Sequence, residues 1–166
     1  KPVLIQAGYL RFSFLLSSIT KKYNNKKIII APTGIDSFKT LSLKKKLSKI
    51  INILNKNKYF VILRPHPRDT NKNFYQNLKQ KNKNNELFLF DDSNNYLKTY
   101  NNSALMITDL SGTAYTYAFL TKKPVIFFSI RENFVLKSEY KNLNYFADRR
   151  LVGEIISDEK KIVYVV

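Results

Sequence analysis

The chain has 166 residues, of which 44% are hydrophobic and 25% are charged. This composition predicts one folded domain and argues against disorder, collagen-like repeats and coiled coils. The sequence contains no cysteine and a single histidine, His66. It therefore excludes a disulfide framework, a thiolate nucleophile, and zinc sites built on sulfur or on several histidines.

Basic residues far outnumber acidic ones, with 29 Lys+Arg against 12 Asp+Glu and a formal net charge of +17. Such an excess indicates a polyanionic partner, such as a nucleic acid, an acidic membrane surface or a phosphorylated substrate. A compositional bias is the other explanation and the one we favour, because lysine and asparagine fill the same polar stretches and these carry no nucleic-acid-binding motif. The charge therefore predicts the sign of a partner, and we expect no specific nucleic-acid binding.

Short apolar runs alternate with helical patterns along most of the chain. The runs are residues 27–31, 59–63, 87–90, 104–107 and 124–128. Helical spacing predicts an amphipathic helix after the first run and a further helix over about 71–81. The residues on the core face of the first of these helices are Leu43, Leu47, Ile50, Ile51 and Leu54.

Two more helices are predicted before the last of these runs. A short one carries Tyr96, Leu97 and Tyr100, and another begins at Ser111. On the second, one face is expected to hold Ala114, Tyr115, Ala118 and Phe119. Continuous apolar strands separated by helices are typical of a parallel sheet buried on both faces. We therefore expect an α/β fold of the Rossmann-like, doubly wound class.

The two ends of the chain fit this repeat less well. Residues 3–5 and 10–19 predict a strand or connector followed by a helix, residues 130–148 look irregular, and residues 162–166 predict a last strand. Because the chain opens at Lys1 without methionine, we expect a piece of a longer protein. No apolar run reaches the ~20 residues that span a bilayer and no signal-peptide pattern is present, so we expect a cytoplasmic location.

The turn after the fourth run has the features of a phosphate site. Ligands of open parallel sheets bind at the carboxyl ends of the strands. Here the backbone N–H groups of Gly112 and Thr113, with the hydroxyls of Ser111 and Thr113, lie at a predicted helix N-terminus. The alternative is that Ser111 only caps the helix while Asp109 ends the strand. Neither GxxxxGK nor GxGxxG occurs.

The turn after the second run reads Arg64-Pro65-His66-Pro67. Prolines on both sides of His66 keep the backbone out of a helix, and the guanidinium groups of Arg64 and Arg68 suit phosphate oxygens. The imidazole is a candidate general base, or a hydrogen-bond donor to a phosphate or leaving group. The alternative is a histidine without a ligand.

In combination these segments resemble a known family. IIIAPTG, VILRPHP, the strand ending in Asp91-Asp92-Ser93, and LMITDLSGTAYTYAFLTKKPVIFF are similar to the carboxyl-terminal, nucleotide-binding half of the CDP-glycerol glycerophosphotransferases. Those enzymes build teichoic-acid-like and capsular polymers on a GT-B fold. Residues 8–12 also resemble the Gly-x-Pro-Arg segment that precedes that half, and the resemblance covers about residues 5–130.

The resemblance implies roles for individual residues. His66 is the expected catalytic residue, acting at the donor phosphates. The Asp-Tyr-Ser-Ser pattern of the family falls on residues 109–112, so Gly112 replaces a phosphate-facing serine and Thr113 partly compensates. An acidic residue that holds the ribose in the family falls on Thr116, which is a departure. The residues expected to bind the donor phosphate or nucleotide are Thr33, Gly34, Arg64, Arg68, Asp109, Ser111, Gly112 and Thr113. Those expected to be either nucleotide-binding or structural are Asp91, Ser93 and Thr116.

The resemblance also implies a function. Residues 1–166 are expected to form a single Rossmann-like, nucleotide-donor-binding domain, one half of a GT-B transferase. It would move glycerophosphate, or a related sugar or polyol unit, from a CDP-linked donor to a cell-surface polymer. The donor is a substrate, and neither a cofactor nor a metal is expected. The alternatives are a non-catalytic nucleotide- or polyanion-binding module, a nucleotide-sugar epimerase, and a capsular glycosyltransferase.

The expected partners follow from the same resemblance. They are CDP-glycerol or a similar nucleotide donor, an anionic polymer or lipid-linked acceptor, and an amino-terminal half that carries the family's second histidine in a His-Gly motif. This sequence contains no such motif, so we expect the isolated chain to be inactive. The basic surface would also suit peripheral attachment to the anionic inner face of the cell membrane.

Overall fold

A parallel β-sheet forms the centre of the molecule. The computed structural model describes residues 12, 15–19, 26–36 and 42–166. Its strands are β1 (Lys27–Ile30), β2 (Phe60–Leu63), β3 (Phe88–Phe90), β4 (Leu105–Thr108), β5 (Val125–Phe128) and β6 (Gly153–Ile156). They pair in parallel in the order β3-β2-β1-β4-β5-β6. The predicted doubly wound α/β fold is therefore confirmed, with the order reversal between β1 and β4.

Helices cover both faces of this sheet. They are α1 (Leu47–Lys56), α2 (Asn73–Lys81), α3 (Tyr96–Asn101), α4 (Thr113–Thr121), α5 (Glu132–Lys137), α6 (Asn144–Ala147), α7 (Arg149–Val152) and α8 (Ile162–Val165). Single 3-10 turns occur at Leu43–Lys46, Pro67–Asp69, Glu139–Asn142 and Glu159–Lys161. Within these described ranges, no helix has both the length and the apolar character needed to cross a membrane.

Alternate residues of each strand enter one of two cores. In β1, Ile28 and Ile30 pack with the apolar faces of α1 and α2, whereas Ile29 packs with α3 and α4 on the other side. The other central strands divide in the same way, because successive side chains of a strand point to opposite faces. All four residues of β4 and of β5 are buried. Burial on both faces explains why these strands appear in the sequence as continuous apolar runs.

The structure corrects the prediction for the carboxyl-terminal region. Residues 162–166 were expected as a strand but contain α8, in which Ile162 is buried and Tyr164 is 89% exposed. A helix satisfies this segment because it buries Ile162 in the core next to α1 and packs Val166 against that core, while Tyr164 faces outward. The last strand is instead β6, and the stretch expected to be irregular contains α5 and α6. The predictions for residues 3–5 and for most of 8–19 fall outside the described residues.

A glycine allows β6 to lie against β5. Gly153 begins β6 and pairs with Val125. A Cβ atom on Gly153 would lie 1.8 Å from the carbonyl oxygen of Val125, well inside van der Waals contact. Any larger residue at this position would therefore push the two strands apart.

The predicted face of α4 is also corrected in part. Ala114 and Ala118 are buried as expected, but Tyr117 joins them in the core and Phe119 is 49% exposed. Phe119 and Tyr115 lie beside Tyr145 and Leu151 around a second, mostly apolar cavity of about 450 Å³.

Candidate functional site

A cleft of about 520 Å³ opens above the carboxyl ends of β1, β2 and β4. This is the edge where the strand order reverses, the place where open α/β sheets bind their ligands. The lining residues come from the segment before β1, the turns after the three strands, and helices α3 and α4. They are Phe12, Leu15, Ala31, Pro32, Thr33, Gly34, Arg64, Pro65, His66, Pro67, Arg68, Tyr96, Tyr100, Ser111, Gly112, Thr113 and Thr116.

The backbone conformation of His66 and a hydrogen bond from Arg68 position the imidazole in the turn after β2. Its backbone is extended, and the 3-10 turn Pro67–Asp69 begins directly after it. The Nδ1 atom accepts a hydrogen bond of 3.3 Å from the backbone N–H of Arg68. A neutral imidazole with Nδ1 as acceptor carries its proton on Nε2. The geometry therefore leaves His66 with an N–H to donate to a ligand in the cleft.

The Arg64 guanidinium is fixed at the edge of the cleft. One terminal nitrogen, Nη1, lies 2.6 Å from Oδ2 of Asp91, and Nη2 donates to the carbonyl oxygen of Ser93 at 2.8 Å. Burial alone would raise the pKa of Asp91, but hydrogen bonds from Ser93, Thr99 and Arg64 together lower it below its ordinary value. Asp91 is therefore an ionised anchor for Arg64. Neither Asp91 nor Ser93 lines the cleft, so their contacts favour the structural alternative for both residues.

Two buried carboxylates position the loop after β1. Asp109 is 2% exposed, and its oxygens accept the backbone N–H groups of Thr33 at 2.8 Å, Leu43 at 2.7 Å and Leu110 at 2.8 Å. Asp69 is 3% exposed and accepts the N–H of Ile35 at 2.6 Å. Burial raises the pKa of Asp109, while the backbone donors favour its ionised form. Each carboxylate ties this loop to the turn after another strand.

Asp109 therefore lies below the cleft and does not line it. We expected it among the donor-binding residues, but its oxygens are taken by backbone donors. Its position supports an indirect role, in which it sets the place of Thr33 and of the turn before α4. An ionised carboxylate has no proton to donate to a phosphate and repels its negative charge, so backbone N–H groups suit Asp109 better than a ligand phosphate does.

The amino terminus of α4 points at the same cleft. Ser111, Gly112 and Thr113 line it, with Thr116 one turn further along. The first N–H groups of a helix have no partner within the helix, and the helix dipole favours an anion there. At Gly112 a Cβ atom would meet nothing within 4 Å, so the cleft has room for a larger side chain at this position.

The charge of the lining suits an anion. Among the described residues that line the cleft, Arg64 and Arg68 are cations and none is a carboxylate. Arg68 is exposed, whereas Arg64 is anchored by Asp91. In the part of the chain that the structure describes, no group of three or more His, Asp or Glu side chains could hold a metal ion. The arrangement can bind phosphate groups through cations, hydroxyls and backbone N–H groups.

Several site residues were not found by sequence reasoning. Tyr96 and Tyr100 of α3 line the cleft, and Tyr100 is hydrogen-bonded to Thr113. Asp69 is the loop anchor described above. The spacing of the two tyrosines on one helical face was visible in the sequence, but it did not show which way that face pointed.

The sequence that builds this cleft matches the model of a protein family. The model of the CDP-Glycerol:Poly(glycerophosphate) glycerophosphotransferase family matches residues 15–163. The chain belongs to this family. The match includes every residue that we placed in the cleft except Phe12.

One relative in sequence and one solved structure are similar to this chain. The minor teichoic acid biosynthesis protein GgaB of Bacillus subtilis (strain 168) is 26% identical over 115 residues, which cover 69% of this chain and 12% of GgaB. The wall teichoic acid polymerase TagF superposes with a TM-score of 0.58 at 20% identity, over 92% of this chain and 37% of TagF. The chain therefore spans only a small part of the relatives that it matches.

A nucleotide-sugar enzyme shares the fold. The UDP-GlcNAc 2-epimerase of Methanocaldococcus jannaschii, solved with UDP-GlcNAc and UDP, superposes with a TM-score of 0.54 at 17% identity, over 95% of this chain and 41% of the epimerase. With TagF, it confirms the predicted fold, a Rossmann-like half of the GT-B type.

Proposed function

We propose that this chain is the donor-binding half of a glycerophosphotransferase of teichoic acid synthesis. In this proposal the cleft holds the diphosphate of CDP-glycerol between His66, the two arginines Arg64 and Arg68, and the amino terminus of α4. The observation that carries it is the convergence of these groups in one cleft whose described lining has no carboxylate. Family membership and a TagF structure soaked with CDPG support the choice of donor.

The proposed chemistry is transfer of a glycerophosphate group. A hydroxyl of the acceptor attacks the β-phosphorus of CDP-glycerol and loses its proton to solvent, while the bond from that phosphorus to the oxygen shared with CMP breaks. CMP leaves with the bonding electron pair, so negative charge grows on its phosphate. Donors already aimed at that charge lower the barrier, and this is usually the largest single contribution of a protein to such a step.

In this scheme His66 acts as a donor through Nε2–H. Its Nδ1 is occupied by the N–H of Arg68, and this supports hydrogen bonding to the leaving phosphate over general-base catalysis. We expect His66→Ala in a complete transferase to lower kcat far more than donor affinity, because the contact strengthens as charge develops. Near-wild-type kcat in that variant would leave His66 a structural residue.

Calorimetry on the isolated chain tests donor binding. We expect CDP-glycerol and CDP to bind more tightly than CMP, and Arg68→Ala to weaken CDP-glycerol binding. Arg150→Ala is the matched control, since Arg150 is an exposed arginine away from the cleft. Equal affinities for CDP and CMP would remove the diphosphate site from the proposal.

The same calorimetric experiment distinguishes CDP-glycerol from an alternative donor, UDP-GlcNAc. Thr116 stands where the resemblance places an acidic ribose ligand, so the identity of the nucleotide is tested separately. A titration with UDP-GlcNAc tests whether the chain is a nucleotide-sugar enzyme. Tighter binding of UDP-GlcNAc than of CDP-glycerol would replace our proposal with that one.

We further propose that the complete protein pairs this domain with an amino-terminal half and acts on an anionic polymer or lipid-linked acceptor at the inner face of the membrane. The small share of TagF and GgaB that the chain spans supports this. One half cannot position the acceptor against the donor, and loss of positioning alone costs ~7 kcal/mol or more of barrier. Incubation of the chain with CDP-glycerol and a lipid-linked glycerophosphate acceptor should release no CMP. Release at the rate of a complete enzyme would contradict the proposal.

A further inference from the structure

Tyr100 lines the cleft beside the turn that presents Thr113. Tyr100 is 2% exposed, and its hydroxyl forms a hydrogen bond with Oγ1 of Thr113. Thr113 is the first residue of α4 and lines the cleft. Both hydroxyls can donate and accept, but a phenol is the more acidic of the two and the stronger donor. In the favoured arrangement the Tyr100 hydroxyl therefore donates to Oγ1 of Thr113. The Thr113 hydroxyl can then donate its own proton to an acceptor in the cleft.

The tyrosine is held firmly in this position. Its ring packs edge-on against Tyr96 and Tyr117, with ring centres 5.2 Å apart in both pairs. The buried Nζ of Lys123 donates to the carbonyl oxygens of Tyr100 at 3.0 Å, Asn101 at 2.9 Å and Ser103 at 2.7 Å. These bonds fix the carboxyl end of α3. Together with the ring contacts, they hold the Tyr100 hydroxyl in place next to Thr113. Burial raises the pKa of Tyr100, which keeps the phenol protonated at neutral pH.

We propose that Tyr100 is a positioning residue for phosphate binding, acting through Thr113. The bonds form a chain from the Tyr100 hydroxyl to the Thr113 hydroxyl and on to a phosphate oxygen of the nucleotide. Each bond in such a chain polarises the next, so the donor to the phosphate is both oriented and strengthened. This inference rests on the proposed function, because it needs a phosphate in the cleft, and it adds a residue that no part of the family resemblance pointed to.

The test is a double-mutant cycle measured by calorimetry with CDP-glycerol and, separately, with cytidine. We expect Thr113→Val to weaken CDP-glycerol binding about tenfold, the loss typical of a hydrogen bond to a charged group. Tyr100→Phe should weaken it about threefold, and the double variant should bind no more weakly than Thr113→Val alone. Thr113→Ser, which keeps the hydroxyl, should bind like the wild type. Cytidine has no phosphate, so its affinity should not change.

Tyr117→Phe is the matched control. Tyr117 is fully buried beside Tyr100 and does not line the cleft, and its hydroxyl lies 3.1 Å from Oγ of Ser103. Its removal should leave CDP-glycerol affinity unchanged, and thermal unfolding of every variant should show a folded protein.

Three results would overturn the inference and leave the proposed function intact: wild-type affinity in Tyr100→Phe, losses that add in the double variant, or an equal loss for cytidine. A wild-type chain that binds cytidine but shows no preference for CDP-glycerol would overturn both.

Discussion

Replacing Asp109 by asparagine removes one of two carboxylate oxygens that hold the cleft loops together. The oxygen that the amide retains can keep the N–H groups of Thr33 and Leu110, which are both bonded to Oδ1 of the aspartate. The new side-chain NH₂ then faces the N–H of Leu43, which loses its acceptor 2.7 Å away. Turning the amide round would instead orphan two backbone donors.

The expected cost follows from this count. A buried backbone N–H left without a partner costs about 1–3 kcal/mol. Burial that raises the pKa of Asp109 shows that the charged form is desolvated, and a neutral amide recovers part of that cost. We therefore expect Asp109→Asn to lower the free energy of unfolding by about 2 kcal/mol. For a chain of this size that corresponds to a fall in Tm of about 4–8 °C.

Urea unfolding followed by circular dichroism measures this change. Asp92→Asn is the control, since Asp92 is exposed and its carboxylate pairs at the surface with Lys79, at 3.0 Å. It should change the free energy of unfolding by less than about 0.5 kcal/mol. If Asp109→Asn costs no more than Asp92→Asn, the carboxylate does not hold the loops. If it leaves stability intact but abolishes CDP-glycerol binding, Asp109 contacts the ligand directly.

Three further outcomes are expected. Gly153→Ala should lower the free energy of unfolding by about 1–3 kcal/mol, because its Cβ would overlap the Val125 carbonyl; an unchanged urea midpoint would show that β6 shifts freely. Hydrogen bonds from Lys49 lower the pKa of Glu159 from 4.5 to about 2, so its stabilising effect is present above pH 4.5 and lost as the pH falls to about 2. Thermal melts of Glu159→Gln should be less pH-dependent across that window, and an unchanged slope would refute the ion pair's contribution. Gly112→Ser adds a hydroxyl where the cleft is open, so calorimetry should show tighter CDP-glycerol binding with no loss of stability; weaker binding would place the ligand against Gly112 itself.

The sequence determined the fold class and the general place of the site. The β1, β2, β4 and β5 runs are apolar because both faces of each central strand are buried, so their pattern is local and visible. Pro65 and Pro67 restrict the backbone around His66 wherever the turn lies in space. The turn before α4 could also be named from the sequence, because it joins an apolar run to a helical pattern, and the structure brings it to one cleft with His66.

The tertiary structure decided what local pattern could not. The run 162–166 is β-branched enough to be a strand, but it folds as a helix that buries Ile162 and packs Val166 against the same core. Two of the three partners of Asp109, Thr33 and Leu43, lie 76 and 66 residues away along the chain, and Arg64 meets Asp91 across 27 residues. No spacing rule connects such distant residues. Whether a carboxylate faces a ligand or a backbone N–H depends on which loops the folded sheet brings together, and that is why Asp109 was expected in the cleft and lies beneath it.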